Sequence, residues 1–363
     1  MTSIRRLGKH AAPLLGACCA LLLSACATQS PAPAPALPGM PPRAAEAPPL
    51  SPQVSSEAET LTKMASLQDR LYKVAAPLLI QNADLCKNQT RNLLGFTLKN
   101  RWSYPGDYNE AAHRAFGMDD RLQVTGVLAG SGAARAGLQN GDVIVAAAGK
   151  PVPTGERALN QAGSMFSQIV AKSASLPMTV ERRGNERNLT IPVTRACAFA
   201  IELGNADNVN AYADGSRVLV TRGMINFARD DDELAYVLAT TMAHNILGHA
   251  AAQRNNATLA SIIDNLKGIV PDTSLLIGSG GVKPMTPEMD ASAARLGTVL
   301  AARGGYDISG APAFWKRLAE TYPPGVLNGY GANHPALAPR LAAIDKAQAE
   351  IKAKRNAKKP LTP

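Results

Sequence analysis

Apolar residues recur at Leu61, Met64, Leu67, Leu71 and Val74, three or four positions apart, and this spacing predicts an amphipathic helix over roughly 56–76. Packing of that face on the chain's own core is the expected use, with a partner-binding coiled coil as the alternative. Residues Val209 to Ile225 read as a hairpin, since Asp214-Gly215 is a tight-turn dipeptide between β-rich runs. Leu234, Val237 and Leu238 open another apolar helical face.

At 363 residues the chain is long enough for two domains with appendages, and 46% hydrophobic residues suffices for packed cores. The first 25 residues have the form of a signal. Arg5, Arg6 and Lys9 make a basic start, Ala11 to Leu23 an apolar run too short to span a membrane, and Leu23-Ser24-Ala25-Cys26 fits the bacterial lipobox, with Cys26 as the lipidated residue. A plain signal peptide or an uncleaved anchor is the alternative. Ala27 after the cysteine favours the periplasmic face of the outer membrane. Residues 26–55, rich in Pro and Ala, read as a tether.

If Cys18 and Cys19 leave with the signal and Cys26 carries lipid, only Cys86 and Cys197 remain in the fold. In an oxidising compartment they read as one disulfide, with two unrelated buried thiols as the alternative. Lys and Arg number 38 against 28 Asp and Glu. Without Arg5, Arg6 and Lys9 the balance is 35 to 28, or +7, partly gathered in a basic tail at 351–363. Little aromatic interleaving and an exported address exclude nucleic acid as the expected partner.

The run Val124-Thr125-Gly126-Val127-Leu128-Ala129-Gly130-Ser131-Gly132-Ala133-Ala134-Arg135-Ala136-Gly137-Leu138-Gln139-Asn140-Gly141-Asp142-Val143-Ile144 resembles the PDZ modules of bacterial periplasmic proteases. The resemblance implies a mostly-β domain over 87–196, with a first strand at Leu93-Leu94-Gly95-Phe96-Thr97-Leu98, a helix near Glu156 to Val170 and closing strands at Met178 to Arg182 and Leu189 to Val193, that adds an extended peptide to a sheet edge. Leu93, Leu94, Gly95 and Phe96 are the segment expected to receive the peptide and its C-terminal carboxylate. The alternative is a spacer with a covered groove.

The segment Asp231-Asp232-Glu233-Leu234-Ala235-Tyr236-Val237-Leu238-Ala239-Thr240-Thr241-Met242-Ala243-His244 resembles the active-site helix of the gluzincin metallopeptidases of the HtpX and BepA type, D-E-L-A-x-V-L-A-H-E-x-A-H. Glu288 to Gly297 resembles their second helix, E-x-x-A-D-x-x-G. The two resemblances together imply an α+β chain: a mainly helical zincin-like domain with a small sheet over 197–350, preceded by its N-terminal helix at 56–86, with the mostly-β PDZ-like domain inserted. In such a site two His at i and i+4 lie about 40° apart on a helix and grip one zinc, and the adjacent Glu polarises the bound water. Here Thr240 and Thr241 replace the first His and the Glu, Asp290 stands for the third ligand, and Ala294 for the second-shell Asp. His244 and Asp290 are residual ligand positions, expected to be empty. His334, in Asn333-His334-Pro335 with Arg340 beyond, keeps a family position beside the cleft without its partners. His249, five residues after His244, would point about 140° away on a continuous helix and share no ion with it.

The expectation is therefore a lipid-anchored pseudopeptidase with no cofactor, where active relatives carry zinc. Its expected partners are envelope or outer-membrane proteins, held by extended segments or C-termini through the PDZ-like groove. The second strand of the hairpin, at the family's cleft edge, is a further candidate for pairing with peptide. The alternative is an active zinc-dependent endopeptidase of envelope protein quality control with a non-standard site.

Overall fold

The computed structural model describes residues 52–274, 276 and 281–363, so Cys26, the signal and most of the tether lie outside the described residues. The first element, α1, runs Pro52–Gln81, longer at both ends than the apolar spacing alone predicts. Its first half places Leu61 against Ala111, Ala112 and Met118, and its second half buries Leu71, Val74 and Leu78 in the largest core. One helix thus serves two hydrophobic clusters, which is why its apolar stripe is so long.

After α1 the chain runs through β1 (Thr90–Leu93), β2 (Phe96–Lys99), α2 (Tyr108–Phe116), β3 (Gln123–Val127), α3 (Gly132–Arg135), β4 (Val143–Ala147), β5 (Lys150–Pro151), α4 (Ala158–Val170), β6 (Ser175–Arg182), β7 (Asn185–Pro192) and β8 (Thr194–Cys197). The run expected as one strand at Leu93–Leu98 is two. Gly95 turns at φ +82°, a conformation costly for a residue with a Cβ, so β1 pairs with β8 while β2 starts a different sheet beside β3. That sheet has the order β2-β3-β4-β6-β7, with β5 on β4, and its neighbours are antiparallel. Val124, Ile144, Leu176, Val180 and Ile191 of the sheet close over Phe166 of α4. Phe96 meets Phe166 edge to face at 6.2 Å.

The remaining elements are β9 (Ala200–Gly204), β10 (Ala211–Ala213), β11 (Arg217–Thr221), α5 (Arg222–Phe227), α6 (Asp231–Ile246), α7 (His249–Ala252), α8 (Asn256–Leu266), α9 (Pro287–Arg303), α10 (Ala311–Thr321), α11 (Tyr330–Asn333) and α12 (Leu337–Asn356). The Asp214-Gly215 turn joins β10 to β11 as its residue types demand, Asp214 Oδ1 accepting from the backbone N–H of Ser216 and Arg217. In the three-stranded sheet, however, β11 is central, antiparallel to β10 and parallel to β9. Both its edges are paired, so the hairpin's second strand has no edge left for a peptide. β2 and β7 end the larger sheet, and β9 and β10 end the three-stranded one.

The largest core is built by α1, α6, α9, α10 and α12, with Phe314, Trp315 and Tyr330 among its bulkiest fully buried side chains. The C-terminal segment returns to it: Ile351 is buried, Leu361 packs on the cluster, and Arg303 donates to the Leu361 carbonyl at 3.1 Å. No helix among the described residues is long and apolar enough to cross a membrane.

Candidate functional site

The site begins with α6. Asp230 caps it, its side chain accepting from Glu233 N–H at 2.8 Å, and acidic residues in the first turn suit the positive end of the helix. Residues from Leu234 to Asn245 are all buried, as expected of a helix in the middle of a core. Thr240 faces α9 where Gly297 allows close approach. Beside it lies a cavity of about 10 Å³, room for about one water. Thr241 donates its hydroxyl to Val237 O at 2.7 Å, so its polar group is engaged inside the helix.

One turn on, His244 enters a buried polar cluster. Its Nε2 is 3.9 Å from Asp290 Oδ1 of α9. His334, just after α11, bonds the same oxygen through Nδ1 at 2.8 Å, and Arg340 of α12 brings Nη2 to 3.2 Å from it. The Arg340 contact lies within ion-pair range without hydrogen-bond alignment, and its Nη2 finds no hydrogen-bond partner among the described residues. The side chains of His244, Asp290 and His334 are 3%, 0% and 9% exposed, and their ligand atoms lie within 4.8 Å of one another. His334, expected to have lost its partners, has Asp290 for a partner and Tyr330 stacked on its ring at 4.3 Å. Arg340 is held over the faces of Trp315 and Tyr330 at 4.8 and 5.2 Å.

His249 also joins the cluster, contrary to the expectation from a continuous helix. α6 ends at Ile246, and Gly248 takes φ +70°, so α7 sets out in a new direction. His249 Nδ1 then meets His244 Nδ1 at 2.9 Å. A glycine four residues after His244 is the sequence signal that could have located this stop. Arg340, noted in the sequence only as part of a family pattern, is the residue that completes the site's charge.

Burial, reinforced by His334, His249 and the Arg340 guanidinium around it, holds the His244 imidazole well below its ordinary pKa, so it is neutral. Burial also lowers His249. For Asp290 burial pulls upward, but His334, Arg340 and the Ala336 N–H together outweigh it, and the carboxyl is held below its usual range as an anion.

The arrangement does not fit the family's catalytic zinc. That zinc would take one ligand from position 240, where Thr offers a short neutral hydroxyl, and water activation from position 241, where the hydroxyl is bonded to the helix backbone. Leu93, Leu94, Gly95 and Phe96, the expected peptide-receiving segment, line a cavity of about 290 Å³ with Tyr72 of α1 and Phe199 before β9.

Residues 171–348 match Peptidase family M48, and residues 123–167 match the PDZ domain. Among curated proteins, the chain is similar to a putative beta-barrel assembly-enhancing protease of Vibrio cholerae, 31% identical over 131 residues that make up 32% of this chain and 27% of that protein. It is also similar to the mitochondrial metalloendopeptidase OMA1 of Bos taurus, 26% identical over 152 residues, 37% of this chain and 28% of that one. The chain thus spans less than a third of the length of either relative. The HtrA-type protease AlgW solved with a decapeptide is 27% identical over 29% of this chain and 30% of that chain, at a TM-score of 0.22. Members of family M48 are zinc metallopeptidases. On an α+β fold, this chain joins a PDZ domain to a domain of peptidase family M48.

Proposed function

We propose that this chain is an envelope lipoprotein whose peptidase-like domain does not cut peptides, and which instead holds extended segments or C-termini of envelope proteins. The observation that carries the reading is the pair Thr240 and Thr241, where the family's chemistry requires an imidazole and a carboxylate. A catalytic zinc needs three protein ligands and an open position for water, and the family positions retain only His244 and Asp290. A threonine hydroxyl is not basic near neutral pH, so position 241 could take no proton from an attacking water. No catalytic cofactor is assigned.

Binding falls to the PDZ domain. β2 stands at the edge of its sheet, and an edge strand offers unpaired backbone groups to an extended peptide, with Leu93 to Phe96 as the segment for a terminal carboxylate. Leu23-Ser24-Ala25-Cys26 supports lipid anchorage through Cys26 on the periplasmic face of the outer membrane. The Vibrio cholerae relative's name supports envelope proteins as partners. Nucleic acid is not among the proposed partners.

The test is incubation of the purified mature chain with an unfolded outer-membrane protein and added zinc, alongside binding of peptides with free or amidated C-termini. The substrate is expected to remain intact, and amidation to weaken binding at least about tenfold, the loss expected of a charge-assisted contact. Chelator-sensitive cleavage that His244→Ala abolishes would establish instead the active zinc endopeptidase of envelope protein quality control. Equal binding of both peptide forms would remove the C-terminal reading.

A further inference from the structure

The cluster of His244, Asp290 and His334 has the donor atoms of a metal site. Ligands about 2.0–2.1 Å from a tetrahedral zinc stand about 3.3 Å from each other, and the observed separations of 2.8 Å and 3.9 Å fall on either side of that distance. His244 Nε2 and Asp290 Oδ2 have no hydrogen-bond partner among the described residues. With the tautomer in which His244 Nδ1 donates to His249, the Nε2 lone pair faces Asp290, and His249 acts as the outer partner that orients a ligand histidine. Donors are therefore not what the pocket lacks.

What it lacks is negative charge. The family pattern puts carboxylates at 241, 290 and 294, three anions that offset a dication together with the arginine at 340. Here 241 is Thr and 294 is Ala, and Asp290 is the one carboxylate left. Asp290 and Arg340, 3.2 Å apart and almost fully buried, already sum to zero. A divalent ion would bring two uncompensated positive charges among side chains that are almost fully buried, beside an arginine held against the faces of Trp315 and Tyr330.

We propose that Arg340 is the resident cation of this site: its guanidinium takes the electrostatic place of the metal and closes to divalent ions a donor set, His244, Asp290 and His334, that is otherwise complete. The inference rests on the reading of a peptidase-like domain without catalytic zinc. It makes the loss of the two carboxylates and the loss of the metal one electrostatic event rather than separate accidents.

The experiment titrates zinc, followed by calorimetry, and cobalt, followed by visible absorption, into the chelator-dialysed mature chain and two variants that alter the charge in opposite ways. Arg340→Met removes the cation while keeping an apolar chain against the two aromatic rings. Ala294→Asp restores an anion one turn along α9 from Asp290. The wild type is expected to show no saturable site. Each variant is expected to bind one zinc per chain at least about 100-fold more tightly, because a unit charge a few ångströms from a dication is worth more than that at the effective dielectric of a protein interior. Adding His334→Gln to either variant is expected to abolish the gain, whereas adding Thr240→Val leaves it. One zinc bound tightly by the wild type would overturn the proposal, as would two folded variants that gain none. Should Arg340→Met fail to fold, Ala294→Asp and the wild-type titration decide. Zinc-dependent cleavage by the wild type would overturn the proposed function, whereas variants that gain no metal in an inert protein overturn only this inference.

Discussion

Gly297 shows how much can rest on one missing methyl group. A Cβ at this position would stand 2.8 Å from Thr240 Cα and Oγ1 and 2.9 Å from Thr240 N, and two of those atoms are helix backbone that cannot turn aside. α6 and α9 would have to separate along the buried face that carries His244 and Asp290. Gly297→Ala is expected to destabilise the chain by about 1–3 kcal/mol, the range for overpacking a filled core. By contrast, Gly163 on the outer face of α4 meets nothing within 4 Å, and Gly163→Ala is expected to be neutral or stabilising by up to about 1 kcal/mol. Urea midpoints of the two variants test the contrast, and equal effects would show that the close approach does not matter. The glycine was visible in the sequence as the last letter of E-x-x-A-D-x-x-G. Its partner was not, because the contact joins two helices far apart in the chain.

At the scale of elements, where α6 ends decides which groups meet. The resemblance carried by Asp231 to His244 located the helix, and the cap at Asp230 is readable from residue types, but neither marks where the backbone leaves the helical region. Gly248 at φ +70° makes that break and turns His249 back onto His244. Gly248→Ala is expected to cost about 1–2 kcal/mol, the penalty of a left-handed conformation for a residue with a Cβ. It should also break the contact between the two imidazoles, which side-chain nitrogen NMR of His244 and His249 would reveal. A stabilised variant, or unchanged imidazole signals, would show that the turn is not held by the glycine. The hairpin carries the same lesson. Asp214-Gly215 predicted the turn, yet the central place of β11 depends on a parallel pairing with β9 that no local pattern encodes, and for that reason the hairpin's second strand, a further candidate for pairing with peptide, has no free edge.

The whole molecule depends on how the PDZ domain is joined to the peptidase-like body. The chain leaves the body through β1 and returns through β8, two strands paired in the register Thr90 to Cys197 and Leu93 to Thr194. At the base of this neck Cys86 and Cys197 form a disulfide, 111 residues apart in sequence, and both are buried in the largest core. Tyr72 of α1 lies against Gly126 of β3, and Asn140 reaches Asp69 of α1 at 3.2 Å, so α1 also touches the PDZ sheet. The bridge closes the whole PDZ domain into one loop. For a loop of that length the chain-entropy estimate is about 4–5 kcal/mol of stabilisation through the unfolded state, and real bridges often deliver less. The neck ladder and the α1 contacts persist without it, so Cys86→Ser with Cys197→Ser is expected to fold, to lose about 2–4 kcal/mol in urea unfolding, and to retain peptide binding, because none of the segment from Leu93 to Phe96 is covalently changed. A loss below about 0.5 kcal/mol would mean that the unfolded chain is already compact at this neck. Lost peptide binding in a folded double variant would mean instead that the bridge sets the groove as well as the joint.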